Sequence, residues 1–513
     1  MFVDARTVPA GTIIETEVCI VGAGAAGITL GREFIDSGFR VVLLESGDTD
    51  FREATQALYD GTNIGRRYFE PGDVGLRLRY FGGATNHWGG WCAIPDPVDF
   101  EVREGIRYSG WPFTRKHLEP WYRRAQDVLQ LGPYGYGPSD WDISSADIPA
   151  PFNGPHFACQ VVQVNETRFG PDYGPELRQA QRLIVYLNAN ALRFETSDSN
   201  DTVQSLSVGV LPDHRFTVRA RIYVVAAGGI ENARLLLLSG KDGGNGLGNG
   251  RDLVGRFFMV HLEYPGGLVI LADPMHPKFT TGDQGFSVDR SGSLRKFVPY
   301  FCLSEDSREK LQLPQLRILF SKVPTEGADQ GGNVLSYVRS MIGKIDDVAS
   351  AILCQTPFKT SGHTALSVYC SSEQMPNPDS RIGLGPTTDS FGLRKVTINW
   401  QLTPHDKRGM AAGHRLLGTE IGRVGLGRFW SAVTDDDGAW PRRMFGNQHT
   451  IGTTRMHRDP ASGVADENCR VHGVQNLYVA GSSVFPTEGT ANPTLTIVAM
   501  SLRLADHIKE KLK

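Results

Sequence analysis

The chain has 513 residues, 40% of them hydrophobic and 21% charged, and a formal net charge of −3. These are globular values at a length that suits two domains or one large elaborated one, and the charge gives no electrostatic case for nucleic acid. Seven cysteines at irregular spacing, with no C-x-x-C pair, speak against a disulfide framework and against a zinc site, so no metal is expected. The N-terminal segment lacks a basic stretch followed by an apolar run, and no apolar stretch approaches the length of a membrane span. The expectation is a soluble protein with a cytoplasmic location.

Residues 18–45, VCIVGAGAAGITLGREFIDSGFRVVLLE, read as strand, tight turn, helix and strand, ending in an acid. Gly22, Gly24 and Gly27 carry the G-x-G-x-x-G spacing, and Glu45 follows about 20 residues on. Gly22 permits the turn, Gly24 lets backbone approach a pyrophosphate, and Gly27 lets the helix sit close to the sheet. The helix N-terminus offers free N–H groups to phosphates. Glu45 can accept hydrogen bonds from both ribose hydroxyls and would repel a 2′-phosphate. The spacing therefore predicts a dinucleotide site, not of the NADP type, and leaves FAD and NAD both open.

Glycine punctuates 61–90, and FGGATNHWGGW at 81–91 reads as a loop whose backbone must come close to a ligand. A helix is predicted over 116–129. The stretch 131–155 is rich in Gly, Pro, Ser and Asp and reads as a long surface loop of the lid type. Strands are predicted over 183–190 and 216–227. The second of these ends in small residues and feeds the helix ENARLLLLSG, a second strand–glycine–helix unit.

Residues 265–440 lose this βαβ character and read as a mostly antiparallel domain, with an amphipathic helix near 335–353. The last 40 residues return to α/β character, with a strand at NLYVAG and a final helix opened by Ala491, Asn492 and Pro493. The fold class expected is α/β (α+β overall). A Rossmann-like dinucleotide domain is assembled from 1–100, 180–264 and 441–513, beside a mostly antiparallel substrate domain from 101–179 and 265–440.

The segments GAGAAG, GGATNHWGGW, VVAAGGIENARLLL, EQMPNPDSR, HTIGTTRM and TANPTLTIVAMSLRLADHI occur in that order across nearly the whole chain. This ordered set resembles the glucose–methanol–choline (GMC) family of flavoprotein oxidoreductases, with GGATNHW and ANPTLT nearest the pyranose oxidase and bacterial sugar and glycoside oxidase branch. The resemblance implies FAD as the cofactor. It also implies oxidation of an alcohol to a carbonyl, in which His449 takes the hydroxyl proton while the carbinol hydride passes to flavin N5. Asn492 would orient the same oxygen. An ordinary imidazole titrates near pH 6.5 and suits a neutral acceptor. The competing reading of His449 is a histidine bonded to backbone. Asn492 before Pro493 also suits a helix N-cap.

The cofactor residues expected on this reading are Gly22, Gly24, Ala26, Gly27, Glu45, Ser46, Arg79, Gly83, Asn86, His87, Gly89, Ala191, Ala227, Gly228, Ser482, Asn492, Pro493 and Thr494. Non-covalent FAD is expected, with a covalent bond at His87 as the alternative that the pyranose oxidase likeness raises. His261 reads as a packing residue, Asp379 and Arg381 as an ion pair, and Trp88, Trp91 and Trp111 as pocket walls or simple packing. A sugar, glycoside or cyclic polyol is the leading substrate class. Oxygen, a quinone or a protein carrier would take the electrons. The alternatives are oxidation of a sterol, aromatic or aliphatic alcohol, a non-redox lyase on the same fold, or a flavin-binding protein without turnover.

Overall fold

The computed structural model describes residues 1–240, 245–290, 293–323, 365–434 and 440–513. The helix expected near 335–353 lies outside them. The chain builds one sheet for the dinucleotide motif and a second, wholly antiparallel one beside it.

The first sheet has the order β1 (Phe2–Asp4), β7 (Leu183–Leu187), β3 (Val41–Leu44), β2 (Ile13–Val21), β10 (His214–Val225), β9 (Val203–Val210) and β8 (Asn190–Thr196), with β20 (Leu477–Val479) also on β10. Pairing is parallel from β1 through β10 and onto β20, and antiparallel across β9 and β8. The central strands are short apolar runs because helices cover parallel strands: Val18, Cys19, Ile20, Leu43 and Leu44 are all buried. The helix Ala25–Glu33 follows β2 directly. Gly27 lets it close on the turn, since a Cβ there would stand 1.8 Å from the Gly22 carbonyl oxygen.

The second sheet runs β18 (Gly427–Ser431), β11 (Leu262–Leu271), β15 (Ala365–Ser372), β14 (Leu316–Lys322), β13 (Ser293–Leu303), β6 (Phe157–Val164) and β5 (Trp91–Cys92). β12 (Phe286–Arg290) pairs with β13 and β19 (Phe445–Gly446) with β11. A small third sheet joins β16 (Arg381–Thr388), β17 (Arg394–Asn399) and β4 (Gly61–Asn63). The large buried hydrophobic cluster is continuous from the first sheet into the second.

The structure redraws several expected boundaries. Trp91 and Cys92 belong to the antiparallel sheet, through β6. The helices Arg115–Val128 and Phe169–Gln179 pack on the dinucleotide side, against the C-terminal helix Thr494–Leu512 and the helix Ala25–Glu33 respectively. Their apolar faces find partners there: Tyr122 bonds Thr496, and Arg32 lies 3.9 Å over the Tyr173 ring. The segment 131–155, expected as a lid, is pinned to the second sheet by apolar side chains it carries between its prolines. Phe152 stacks on Phe301 with centroids 3.9 Å apart, and Trp141 packs on Phe297. None of its residues lines the main cleft.

Asp379 and Arg381 do not pair with each other. Arg381 bonds Asp252 at 2.8 Å, and Asp379 faces Arg256 at 3.6 Å. The described cysteines are buried and free. Among the described residues no helix is long and apolar enough to cross a membrane, and no cluster of His, Cys, Asp and Glu could hold a metal ion.

Candidate active site

One cleft of about 480 Å³ runs over the ends of β2, β3 and β10 and continues to the start of the C-terminal helix. At one end its walls are backbone. The turn from Gly22 to Ala26, the Glu45–Ser46 corner, Ala191 and the Ala227–Gly228 turn all line it. Gly24 and Gly228 have nothing within 4 Å where a Cβ would project, so backbone there is bare to a ligand. Gly24 caps the helix Ala25–Glu33 without any side-chain bond, which leaves its first N–H groups free for phosphate oxygens.

Glu45 is buried, with its oxygens at 2.9 Å from the Ala23 and Gly47 N–H groups. Those bonds fix the carboxylate at the cleft wall and leave further lone pairs for ribose hydroxyls. This bare backbone and anchored acid fit the adenosine and pyrophosphate parts of a dinucleotide.

A charged cluster borders the same end. Glu231, in the first turn of the helix Gly228–Leu238, pairs with Arg77 at 3.0 Å, Arg234 at 3.3 Å and Arg79 at 3.5 Å. Burial alone would raise the Glu231 carboxyl, but Arg234, Arg77 and Arg79 outweigh it and hold it down at about 2. Arg79 Nε is buried without a hydrogen-bond partner, an open donor beside the cleft. Sequence reasoning singled out Arg79 and missed Arg77, Glu231 and Tyr59, whose ring lies on the cleft under both Arg77 and Arg79. The one local signal was an acid in the first turn of a helix that follows a glycine turn.

Most of the expected cofactor residues line this cleft; Gly27 and Asn86 do not. Gly27 acts beneath the turn. Asn86 faces away, because its Nδ2 donates to the Phe81 carbonyl at 2.9 Å and closes the glycine loop on itself. His87 lines the cleft with much of its surface exposed, and partial burial of its ring, then Arg168, lower its pKa. Trp88 and Trp91 are cleft walls. Trp111 packs behind, on Phe100 and Phe485.

At the other end the walls are side chains. His449, Gln448 and Asn492 meet there, with Trp91 alongside. Asn492 Nδ2 lies 3.3 Å from His449 Nε2, and Asn492 Oδ1 accepts from Arg317 Nη1 at 3.1 Å. Asn492 therefore does not cap the helix. The cap position is Pro493, with no side-chain cap bond, so the helix N-terminus opens into the cleft. His449 Nδ1 lies 2.9 Å from His261 Nδ1, which corrects the packing reading of His261. His449 keeps part of its surface open to the cleft. Burial of the ring, with Arg317 adding to it, pushes its pKa down to about 3. Burial, His449 and Arg317 hold His261 well below its ordinary value. The arrangement is a neutral imidazole and an amide donor converging on one point, at the far end of a dinucleotide cleft.

Comparison with known proteins places this architecture. Residues 376–501 match the family model described as GMC oxidoreductase. The chain is 25% identical to 6'''-hydroxyparomomycin C oxidase of Streptomyces lividus, over 97% of this chain and 92% of that protein. It is 23% identical to the fructose dehydrogenase large subunit of Gluconobacter japonicus, over 98% of this chain and 99% of that one. Among solved structures, pyridoxine 4-oxidase from Mesorbium loti shares the fold, with a TM-score of 0.58 and 19% identity over 96% of this chain and 99% of that one.

Proposed function

We infer that this chain, which belongs to the GMC oxidoreductases, uses FAD to oxidise a CH–OH group to a carbonyl, with His449 as the general base. The observation that carries the reading is the His449–Asn492 pair, 3.3 Å apart, on the wall of the same cleft that Glu45 and the Gly22–Ala26 turn line. FAD, when bound, supplies the acceptor for the C–H hydrogen and its electron pair.

A substrate hydroxyl held between the pair accepts a hydrogen bond from Asn492 Nδ2 and presents its own proton to His449 Nε2. A C–H bond is a better donor of its electron pair as the neighbouring O–H ionises, so a base and a donor at one oxygen lower the same barrier. The depressed pKa of His449 keeps the imidazole free to receive that proton at neutral pH. The N-terminus of the helix Thr494–Leu512 faces the cleft and favours negative charge there. Balance is simple: the hydroxyl proton goes to His449 and the two electrons leave with the C–H hydrogen.

A sugar, glycoside or cyclic polyol is the proposed substrate class. Support comes from the named substrates of the relatives and from Trp88 and Trp91, whose flat faces suit a sugar ring. His87, Ser46, Gly83 and Gly89 are proposed to hold FAD without a covalent bond. Acid precipitation of the holoenzyme should leave the yellow colour in the supernatant, and a yellow pellet would place a bond at His87.

The deciding experiment is anaerobic mixing with a panel of sugars, glycosides, sterols and aryl alcohols. Bleaching of the flavin by sugars or glycosides is expected. Bleaching by a sterol or aryl alcohol alone would overturn the substrate class, and no bleaching by any alcohol would overturn the reaction. Admitting oxygen afterwards reports whether oxygen is the electron acceptor.

A further inference from the structure

We propose that Arg317 is the positioning residue of this site: its guanidinium fixes the Asn492 amide so that His449 presents an unprotonated Nε2 to the cleft. The proposal rests on the reading of His449 as the base.

Arg317 lies on β14, in the middle of the antiparallel sheet, and is only 5% exposed. No carboxylate of the described residues pairs with it. Its surroundings are the Tyr300 ring at 5.1 Å, the Trp91 ring at 5.9 Å and Asn492. Burying a guanidinium without a counter-ion is expensive, and the rings recover only part of that. Two of its nitrogens, Nε and Nη2, have no hydrogen-bond partner, so Nη1 to Asn492 is the bond the side chain makes.

That bond determines a chain of others. A guanidinium only donates, so the Asn492 atom facing it must be Oδ1. Nδ2 then points at His449 Nε2 and, in the site without substrate, donates to it, a bond that a substrate hydroxyl replaces. A nitrogen that accepts this bond carries no proton, so neutral His449 holds its proton on Nδ1. That N–H donates to His261 Nδ1 at 2.9 Å. His261 in turn carries its proton on Nε2, which faces Glu488 Oε2 at 3.8 Å.

The side chains at the far end do not set this direction. His261 Nε2 and Glu488 Oε2 both lack a hydrogen-bond partner. Glu488 is fully buried and pushed well above the ordinary carboxyl value by burial, so it can donate as readily as accept. Histidine and amide groups likewise serve in either sense. Arg317 has one fixed role, as donor, and it sits at the substrate end; at the far end the Gly489 backbone carbonyl beside His261 can only accept and favours the same direction.

The same charge bears on titration of His449. The groups facing the ring are Arg317 through Asn492, His261, and Glu488 behind His261. Beside it, Asn447 is held by Glu263 and Tyr68. Of these, Arg317 is the permanent cation, and it disfavours a second positive charge on the imidazole.

The test compares Arg317→Met, which loses charge and donor, with Arg317→Lys, which keeps both. The first readout is the 15N histidine spectrum of the oxidised holoenzyme without substrate, with His449 assigned by its loss in His449→Gln. Wild type is expected to show His449 protonated at Nδ1 and bare at Nε2, Arg317→Met to show mixed or reversed tautomers, and Arg317→Lys to keep the wild-type form. The second readout is anaerobic flavin reduction. Arg317→Met should slow it by about 10–100-fold through lost orientation and move its acid limb to higher pH. Arg317→Lys should recover the rate to within about tenfold, with the acid limb unmoved.

A wild-type Nε2 that carries the proton overturns the proposal. So does an Arg317→Met protein with unchanged tautomer, whatever its rate, or equal loss of rate in both variants with the tautomer intact. If Arg317→Met does not fold, the wild-type and Arg317→Lys spectra still decide. Failure of the functional reading is distinct, since it appears as no reduction by any alcohol and leaves the tautomer result standing.

Discussion

The two ends of the cleft are built by different means. At the Glu45 end the ligand surface is mostly backbone, laid down chiefly by one continuous strand–turn–helix–strand unit and completed by Ala191 and the Ala227–Gly228 turn. Its key acid is fixed by its own neighbours, Ala23 and Gly47, at 2.9 Å each. At the His449 end the surface is side chains, those of His449, Gln448, Asn492 and Trp91, and behind them stand His261, Arg317 and Glu488 from segments far apart in the chain. A backbone cradle can be coded by glycine spacing within about 25 residues. A constellation of side chains needs both sheets folded and docked before any of its bonds exist. On the proposed reading, binding is therefore the more local property of this molecule, and chemistry the more global one.

The difference predicts two distinct kinds of failure. The largest effect should come from Gly27→Ala, whose Cβ would stand 1.8 Å from the Gly22 carbonyl oxygen. No yellow holoenzyme is expected on purification. Gly24→Ala is the sharper companion: nothing lies within 4 Å of its Cβ, so the chain should fold and bind FAD less tightly, read by titration of the apoprotein. At the other end His449→Ala should stay yellow yet reduce its flavin about 10³-fold more slowly in anaerobic stopped flow. Colourless His449→Ala protein, or an unchanged rate, would erase the distinction between the ends.

The same division explains what the sequence revealed. Gly22, Gly24, Gly27 and Glu45 were legible because their spacing is itself the structure. The antiparallel sheet was legible as a class, from loss of the βαβ pattern. His449 and Asn492 were identified through resemblance, and Asn492 kept a second reading as a helix cap until its bonds to His449 and Arg317 were seen. His261 was read as packing because its partner is 188 residues away. Arg317 gave no signal: in LRILFSK a lone arginine reads as a solvated charge, and the Tyr300 and Trp91 rings and Asn492 that enclose it come from other segments of the chain. Asn86 failed in the opposite sense. A glycine-rich loop suggested ligand contact for all of its polar groups, while this one serves to close the loop.

A smaller effect tests whether the binding end depends on more than backbone. Glu231 offsets three buried guanidiniums, those of Arg77, Arg79 and Arg234. Glu231→Gln leaves them facing one another and should cost about 3 kcal/mol of stability, with weaker FAD binding. Thermal unfolding of the apoprotein separates the two. A stability loss confined to the holoenzyme would assign Glu231 to the ligand alone. The sign of its titration is fixed. The carboxyl is depressed to about 2 by its arginines against the cost of burial, so its contribution is present above the ordinary carboxyl range and is lost as pH falls toward 2.

The smallest effect per residue is pH dependence in the mildly acid range, and it reverses the usual expectation for a histidine enzyme. Burial holds His414 down at about 3 and His261 well below its ordinary value, and both are almost fully enclosed, at 2% and 1% exposure. Unfolded, each would take up a proton near pH 6.5; folded, each resists. The folded state thus binds fewer protons between those values, and stability is full above pH 6.5 and falls as pH drops toward 3. By pH 5 each such histidine removes about 2 kcal/mol, read as a lower urea midpoint than at pH 7. The reductive step should not follow that curve. His449 is held at about 3 by burial and Arg317, so on the proposed reading the folded enzyme keeps its acceptor nitrogen free while stability declines. Flavin reduction measured within seconds of a jump from pH 7 to pH 5 should be nearly unchanged, whereas prolonged incubation at pH 5 should lose activity by unfolding. A fast loss with an ordinary histidine midpoint would show that His449 titrates freely, and the chemical end would then be as open to water as the binding end.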